Sequence, residues 1–558
     1  MASQRLRDLV RRALGIVRPA GDPRPTADGP TLRAVVAARL PTGAATVAVL
    51  APAHSGLPDE LRRKRPKGRV HHLTAPGADA HVRLTACGPF DLIVDCLGKR
   101  GNRERFLACF YHLRSGGVMI VANGSAELAK PRPGHLGGLL SDALASRGEP
   151  HPGRQRGTPT AAIDAHGLGR ALASVAAIGR HLVTERAELS VLAKMREPEM
   201  NAYLAALPDG RDRVLEVIAA QPFRSRCAFQ ENVETPRPNF PDHYDTIDLS
   251  LRVYHDVVMT PGQVLSTDRV ITPDSYRHNQ FRRLRNRYTD EIAPRFATLR
   301  HGTAELRYLQ GTYLHLDNEV RGHFGHLMTE QMSRFWTWKR ARARYPGLKA
   351  VVALNKGHEL RGWESEMYAA AGIETHDLVF LREPVRVERM VSGTPMLSNP
   401  DYVHPAIVDT WREVGDRLVA GRPARDFPTR FFCSRRLAKR SCHNTEAVEA
   451  IFDEYGFSIV FPEDYSLGEQ VQLFRGAEVI GGFVGSGLFS LCYAMDPKRV
   501  ITVGSTAYTA RNEYLIASVL GHSMNSIACV PDDPTFYQSP FTFEEKDADY
   551  LRELLTSL

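Results

Sequence analysis

Two histidines, a carboxylate and an arginine recur in the run 322–338, where His323, His326, Glu330 and Arg334 stand three, four and four residues apart. On a helix that spacing aligns all four on one narrow face and leaves Phe324, Met328, Met332 and Phe335 to face a core. Such a stripe can supply a general base, a partner that orients it and a cation for a phosphate. A solvated face carrying one Glu330–Arg334 ion pair fits the same residues. Two histidines and a carboxylate can also ligate zinc, but the pattern departs from the His-Glu-x-x-His of zinc hydrolases. No cysteine or Asp-x-Asp motif completes a site, so no metal is expected.

A second constellation lies between residues 429 and 505. Arg435, Arg436 and Lys439 belong to a basic loop, 435–440, after the strand expected at 429–434, and Gly485-Ser486-Gly487 follows the strand expected at 478–481. Backbone N–H groups at a strand-to-helix turn favour an anion, and an arginine fork matches phosphate oxygens in pairs. Together these groups suit a diphosphate. Ser466-Leu467-Gly468-Glu469 reads as a capping box, which makes Glu469 a helix cap before it is a ribose ligand; Gln470, without that duty, is the better candidate for a sugar or ribose hydroxyl.

The elements needed to position these residues are legible as βα alternation. Helices are expected at 445–455, opened by Asn444 and ended by Gly456, and at 466–476; strands are expected at 457–461 and 499–503. The pattern is that of a doubly wound parallel sheet with ligands at its carboxyl edge. Further towards the N-terminus, strands are expected at 46–50, 69–73, 90–96 and 117–122, again alternating with helices. Between them lie a Gly/Arg/Pro/Thr-rich linker at 153–160, two or three helices over 167–207, a Pro-rich stretch at 235–241 and hairpins over 251–258 and 263–272.

The chain has 558 residues, 43% hydrophobic and 24% charged, enough for about three structural units. Its net charge of +9 is spread without long basic tracts, which suits an anionic small substrate or an anionic membrane surface as well as it suits nucleic acid; with the two constellations above, no nucleic-acid partner is expected. The eight cysteines show no C-x-x-C pair and read as buried reduced thiols. No apolar run reaches the roughly 20 residues of a spanning helix and no signal peptide is evident, so a cytoplasmic protein is expected. Leu6, Leu9, Val10, Ala13, Leu14 and Val17, interleaved with Arg5, Arg7, Arg11 and Arg12, form a short basic amphipathic helix; it could touch the inner face of a membrane or pack on the first domain.

Two resemblances follow from these residues. Phe90-Asp91-Leu92-Ile93-Val94-Asp95 and His112-Leu113-Arg114-Ser115-Gly116-Gly117-Val118-Met119-Ile120 resemble strands of class I methyltransferases. The glycine-rich loop and ribose-binding acid of that family are replaced here by Val49-Leu50-Ala51-Pro52-Ala53-His54-Ser55-Gly56 and His72-Leu73-Thr74-Ala75, which favours a scaffold or docking role. Phe324-Gly325-His326-Leu327-Met328-Thr329-Glu330, Ser434-Arg435-Arg436, Gly468-Glu469-Gln470-Val471 and Gly485-Ser486-Gly487-Leu488 resemble family 61 glycosyltransferases, with Val484 where that family commonly has histidine. The resemblance implies a GT-B-type, inverting, metal-independent transfer of a sugar from a nucleotide diphosphate donor, taken as a UDP-sugar, to a hydroxyl of a glycan or glycoconjugate in cell-surface polysaccharide synthesis.

The expected architecture is therefore α/β, a GT-B-like pair of Rossmann-type lobes preceded by an N-terminal Rossmann-like domain. Its parts are a basic segment (1–29), a methyltransferase-like domain (30–150), a linker and helical region (151–230), an acceptor-side lobe (231–425) and a nucleotide-sugar lobe (426–558). His326 or Glu330, with His323 beside them, would act as base; Arg435, Arg436, Lys439, Gln470, Glu469, Gly485, Ser486 and Gly487 would hold the donor. An inactive nucleotide-sugar or glycan-binding module, or a glycan methyltransferase, would carry the same features.

Overall fold

The computed structural model describes residues 29–74, 79–129, 131–152, 159–233, 240–276, 286–302, 305–354, 359–436 and 440–558. The basic N-terminal helix, the core of the 153–160 linker, most of the Pro-rich stretch and Lys439 lie outside the described residues. The fold is α/β throughout, and the chain divides into two compact units, each described by itself. One comprises Met1–Asp212, Ser266–Pro273 and Arg283–Glu305; the other comprises Arg213–Leu265, Asp274–Arg282 and Leu306–Leu558.

The first unit is organised by a six-stranded sheet. Strands Arg69–Leu73, Thr46–Leu50, Phe90–Asp95 and Leu113–Val121 lie parallel in that spatial order. They coincide with the expected strands, although the last begins earlier than expected; Thr46–Leu50 and Phe90–Asp95, interior to the sheet, are buried at nearly every position, whereas the edge strand Arg69–Leu73 buries only Leu73. Val47, Val49, Leu92, Val94, Val118 and Ile120 share one core with Leu57 and Leu61 of a flanking helix.

The expected two or three helices over 167–207 are only partly present. Thr160–Ala171 and Glu197–Ala205 are helical, but Leu172–Ile178 and His181–Arg186 form an antiparallel hairpin turned by Gly179 and Arg180, with Gly179 at φ +56°. The second hairpin strand pairs antiparallel with Leu113–Val121. Ladder bonding to an existing sheet edge outweighs the helix preference of Ala and Leu, which is a weak local bias.

Two large sheets organise the second unit. One, mixed, runs Arg213–Ile218, Leu249–Thr260, Val385–Gly393, Arg307–His315, Lys349–Ala353 and Leu378–Leu381 across its width; the first two contacts are antiparallel and the rest parallel. The turn-separated strands expected over 251–258 and 263–272 are present as Leu249–Thr260, Val264–Ser266 and Val270–Ile271, the last two paired antiparallel, and the first is longer than expected at 12 residues. The other sheet is wholly parallel, in the order Phe229–Glu231, Ser523–Cys529, Arg499–Ser505, Val479–Phe483, Arg430–Cys433 and Ser458–Val460. The chain moves one way from Arg430–Cys433 to Ser458–Val460, then crosses back to Val479–Phe483. That reversal is a topological switch point, which opens a crevice at the carboxyl ends of the two central strands.

Helices Thr445–Glu454 and Leu467–Gly476 stand where the sequence pattern requires them. Asn444 precedes the first of these, but its amide bonds the backbone of Phe543 on both sides, so its side chain is spent on that segment and leaves the helix N–H groups uncapped. The eight cysteines are free thiols. Among the described residues no helix is long and apolar enough to cross a membrane.

Candidate functional site

The run that carries the histidines is helical with three different pitches. Phe324–His326 is an α turn, Leu327–Gln331 a π turn and Met332–Arg334 a 3-10 turn, before Trp336–Arg344 continues as α-helix. A π turn inserts extra backbone into the helix and displaces side chains that even spacing would align. His326 and Glu330 stay together: Nδ1 lies 2.8 Å from the Glu330 Oε1. The rings of His323 and His326 are 4.7 Å apart. Arg334 leaves the stripe. It is buried, and its guanidinium donates to the carbonyls of Asp317 (3.3 Å) and Asp274 (3.2 Å), so the expected phosphate cation on this face is a structural clamp.

The pairing decides which nitrogen can act. An ionised carboxylate only accepts, so the contact suits a proton on Nδ1 of His326 and leaves Nε2 as the nitrogen able to exchange one, with Glu330 orienting the ring. Thr329 and Ser333 pin the turn by donating to the carbonyls of Gly325 and Glu330, each at 2.8 Å.

Gly325 brings this turn onto the second constellation. A Cβ there would lie 2.9 Å from the Ser486 Cβ and 3.2 Å from the Phe489 ring, closer than side chains pack. Beneath it, the buried Tyr493 hydroxyl reaches the sulfurs of Met328 (3.7 Å), Met332 (3.6 Å) and Met367 (3.5 Å).

Residues 434–440 and 484–487 leave the two strands that flank the switch point. Gly485 has φ +140°, a region open to glycine, and donates its N–H to the Glu513 carboxylate at 2.5 Å. Ser486–Tyr493 follows as a 3-10 helix in place of the expected α-helix. The N–H groups of Ser486 and Gly487 open its first turn, ahead of any residue of that helix that could accept them.

The arginines divide their duties. Arg435 donates to the carbonyls of Arg440 (3.3 Å) and Val484 (3.1 Å) and lies 4.9 Å from the Phe483 ring centroid. Burial, with Arg440 beside it, brings its pKa down to about 10. Arg436 is exposed, grips Asp464 with both terminal nitrogens (2.6 and 2.7 Å) and lies over Phe461. Its pKa is raised by that carboxylate. The loop itself carries no acid; Asp464 comes from the turn Pro462–Asp464 and is invisible in the loop's own sequence.

Gln470 is not placed to read a hydroxyl. It is buried, its amide nitrogen donates to the carbonyls of Pro462 (2.8 Å) and Tyr465 (3.2 Å), and its oxygen accepts from Ser490 at 3.0 Å. Every one of those bonds would have to break for it to turn towards a sugar. Glu469 closes the capping box on Ser466 and pairs with Arg425, as a cap should.

Two groups absent from the expected site set belong to it by position. Arg440 lies 4.1 Å from the Tyr508 ring centroid, and Glu513 is buried, its pKa raised by burial and opposed by the Gly485 N–H, Arg440 and Arg435. Arg440 could have been read from the basic loop. Glu513 carried no local signal, since 28 residues separate it from Gly485. Among the described residues no group of three or more His, Cys, Asp or Glu side chains is placed to hold a metal ion.

Comparison with known proteins gives three results. Residues 324–502 match the family model for Glycosyltransferase 61, a span that contains the His326–Glu330 pair and both switch-point loops. No curated protein matches the chain. Similar solved structures include MycE methyltransferase from the mycinamycin biosynthetic pathway in complex with Mg and SAH, at 17% identity and TM-score 0.20, covering 26% of this chain and 45% of that one. A complex of the same enzyme that also holds mycinamycin VI aligns at 17% identity and TM-score 0.19, over 26% and 41% of the two chains. The chain thus spans less than half the length of the methyltransferases it aligns with.

Proposed function

We propose, on the match of residues 324–502 to glycosyltransferase family 61, that this chain transfers a sugar from a nucleoside diphosphate donor to a hydroxyl of a glycan or glycoconjugate. The observation that carries this reading is the seating of the His326–Glu330 turn, through Gly325, on Ser486 at the switch point of the parallel sheet. A base and an anion-binding edge in one place are what glycosyl transfer with a diphosphate leaving group requires.

In this mechanism the His326 Nε2 takes the proton of the acceptor hydroxyl as its oxygen attacks the anomeric carbon. The bond from that carbon to the diphosphate oxygen breaks on the opposite face, so configuration inverts. Glu330 holds the imidazole in the productive tautomer and stabilises the imidazolium that forms. Negative charge developing on the leaving diphosphate falls to the arginine loop and the N–H groups of Ser486 and Gly487, which do the work a divalent cation does elsewhere. The two lobes of the second unit would form a GT-B-type enzyme acting on cell-surface polysaccharide. The first unit would serve as scaffold or dock.

The test is incubation of the full chain with a panel of nucleotide sugars, UDP-sugars first, read by thermal shift and by release of nucleoside diphosphate with and without glycan acceptors. A donor held well above its dissociation constant should raise the melting temperature measurably. Absence of both a shift and release across the panel would sink the reading.

A further inference from the structure

The arginines of the switch-point loop have unequal freedom to meet a ligand. Arg435 is committed to two backbone carbonyls, and one of them belongs to Arg440, whose position it therefore holds. Arg436 is neutralised by the two-pronged Asp464 bridge on the exposed side of the loop. Arg440 differs from both. Its backbone is left-handed, at φ +58°, a conformation that non-glycine residues seldom adopt and that concentrates at functional positions. Its side chain lies along the Tyr508 ring, and its Nε is buried without a hydrogen-bond partner among the described residues. One of its terminal nitrogens is 3.0 Å from where a Gly485 Cβ would stand, at the start of the Ser486–Tyr493 helix. A cavity lined by Val484, Ser505, Tyr508 and Glu513 adjoins this cluster.

We propose that Arg440 is the principal diphosphate contact of the donor site, with Tyr508 as the platform that keeps its guanidinium extended. The inference rests on the donor reading above and assigns within it a residue that the spacing of the basic loop did not single out. A buried donor without an acceptor costs free energy that a bound phosphate oxygen would recover, and a planar guanidinium offers that oxygen a paired contact. Glu513, behind Gly485, accepts the Gly485 N–H and faces Arg440 and Arg435. The glycine lets the backbone pass close enough for Arg440 and the Ser486 N–H to address one ligand.

Titration calorimetry of the full-length chain with UDP, GDP and inorganic pyrophosphate tests this. Arg440→Gln, which keeps a stem over Tyr508, should weaken nucleoside diphosphate and pyrophosphate binding by about 10- to 100-fold. Arg440→Lys should recover only part of that loss, because an ammonium cannot make the paired contact. Arg436→Gln should lose less than Arg440→Gln, since its guanidinium must first leave Asp464. A folded Arg440→Gln protein that binds as the unmodified chain does, or a greater loss in Arg436→Gln, overturns the assignment while leaving the donor reading intact. Should Arg440→Gln fail to fold, full affinity in Arg440→Lys overturns the paired contact. An unmodified chain that binds none of the three probes overturns both readings.

Discussion

Two of this protein's sheets share the order of four parallel strands and differ at its most consequential point. In the first unit the order Arg69–Leu73, Thr46–Leu50, Phe90–Asp95, Leu113–Val121 places a switch point between the second and third strands named. In the second unit Ser458–Val460, Arg430–Cys433, Val479–Phe483 and Arg499–Ser505 repeat it. Each topology creates a crevice; side chains decide whether it remains one. At the first, His72 Nε2 lies 2.9 Å from the Ala51 carbonyl, Asp95 takes the Leu97 N–H (2.9 Å) and Arg105 Nε (2.8 Å), and Arg105 also bonds the carbonyls of Gly98 and Arg100. Those polar groups of the first edge are satisfied from within. At the second, Arg440 Nε is buried without a hydrogen-bond partner among the described residues, beside the first turn of Ser486–Tyr493. Fold alone therefore does not locate function; the state of the polar groups at the switch point does.

The comparison breaks most visibly at the base. His326→Ala or Glu330→Gln should lower kcat by about 10²- to 10⁴-fold with nucleoside diphosphate affinity nearly unchanged, because these groups act on the acceptor proton. If both variants turned over like the unmodified chain, catalysis would lie elsewhere and only the donor edge would stand.

At the first edge the same kind of substitution should cost stability and nothing else. Arg105→Ala leaves Asp95, fully buried, without its cation and should destabilise the first unit by roughly 3–5 kcal/mol in denaturant melts. Nucleoside diphosphate binding should not move. A loss of binding in that variant would mean that the first edge is part of the site.

Acid should weaken both units through buried histidines. Burial chiefly depresses His112 in the first unit and His315 in the second to about 3, and His522 in the second to about 4. In the unfolded chain each titrates near 6.5. The unfolded state thus binds more protons between those limits, and stability should fall with pH from about 6.5 down to about 4 for His522 and about 3 for the others. The slope is at most about 1.4 kcal/mol per pH unit for each histidine. His522→Asn should flatten the acid limb of the second unit's melting curve alone; an unchanged slope would show that its imidazole is protonated in the fold.

The smallest expected effects sharpen the contrast. S-adenosylmethionine should give no heat in calorimetry and no thermal shift, and micromolar binding would reverse the reading of the first edge. EDTA should leave turnover unchanged; loss restored by Mn²⁺ or Mg²⁺ would refute cation catalysis by the arginine loop alone.

Much of this architecture is legible one element at a time. The apolar runs within 46–50 and 90–96, the capping box at Ser466 and Gly485, two residues after Phe483, announce themselves because strand burial, helix capping and positive φ are local demands met by local residue types. The pairing of His326 with Glu330 was equally readable, since side chains four apart on a helical turn face each other. The hairpin at 172–186 was not, because its partner strand lies more than fifty residues earlier in the chain and nothing in an Ala-rich run announces a sheet edge.

The residue types alone determined that a base and a cationic loop exist in this chain and that each follows an element able to present it. Tertiary structure decided which members of those sets are available. Arg334 and Gln470 turn inward because the π turn and the Pro462–Asp464 turn bring carbonyls within their reach. Arg436 is answered by Asp464, 28 residues away, and Gly485 by Glu513, equally distant. A polar group buried in a low-dielectric interior binds whatever complementary group packing delivers, and packing joins residues that no spacing rule connects.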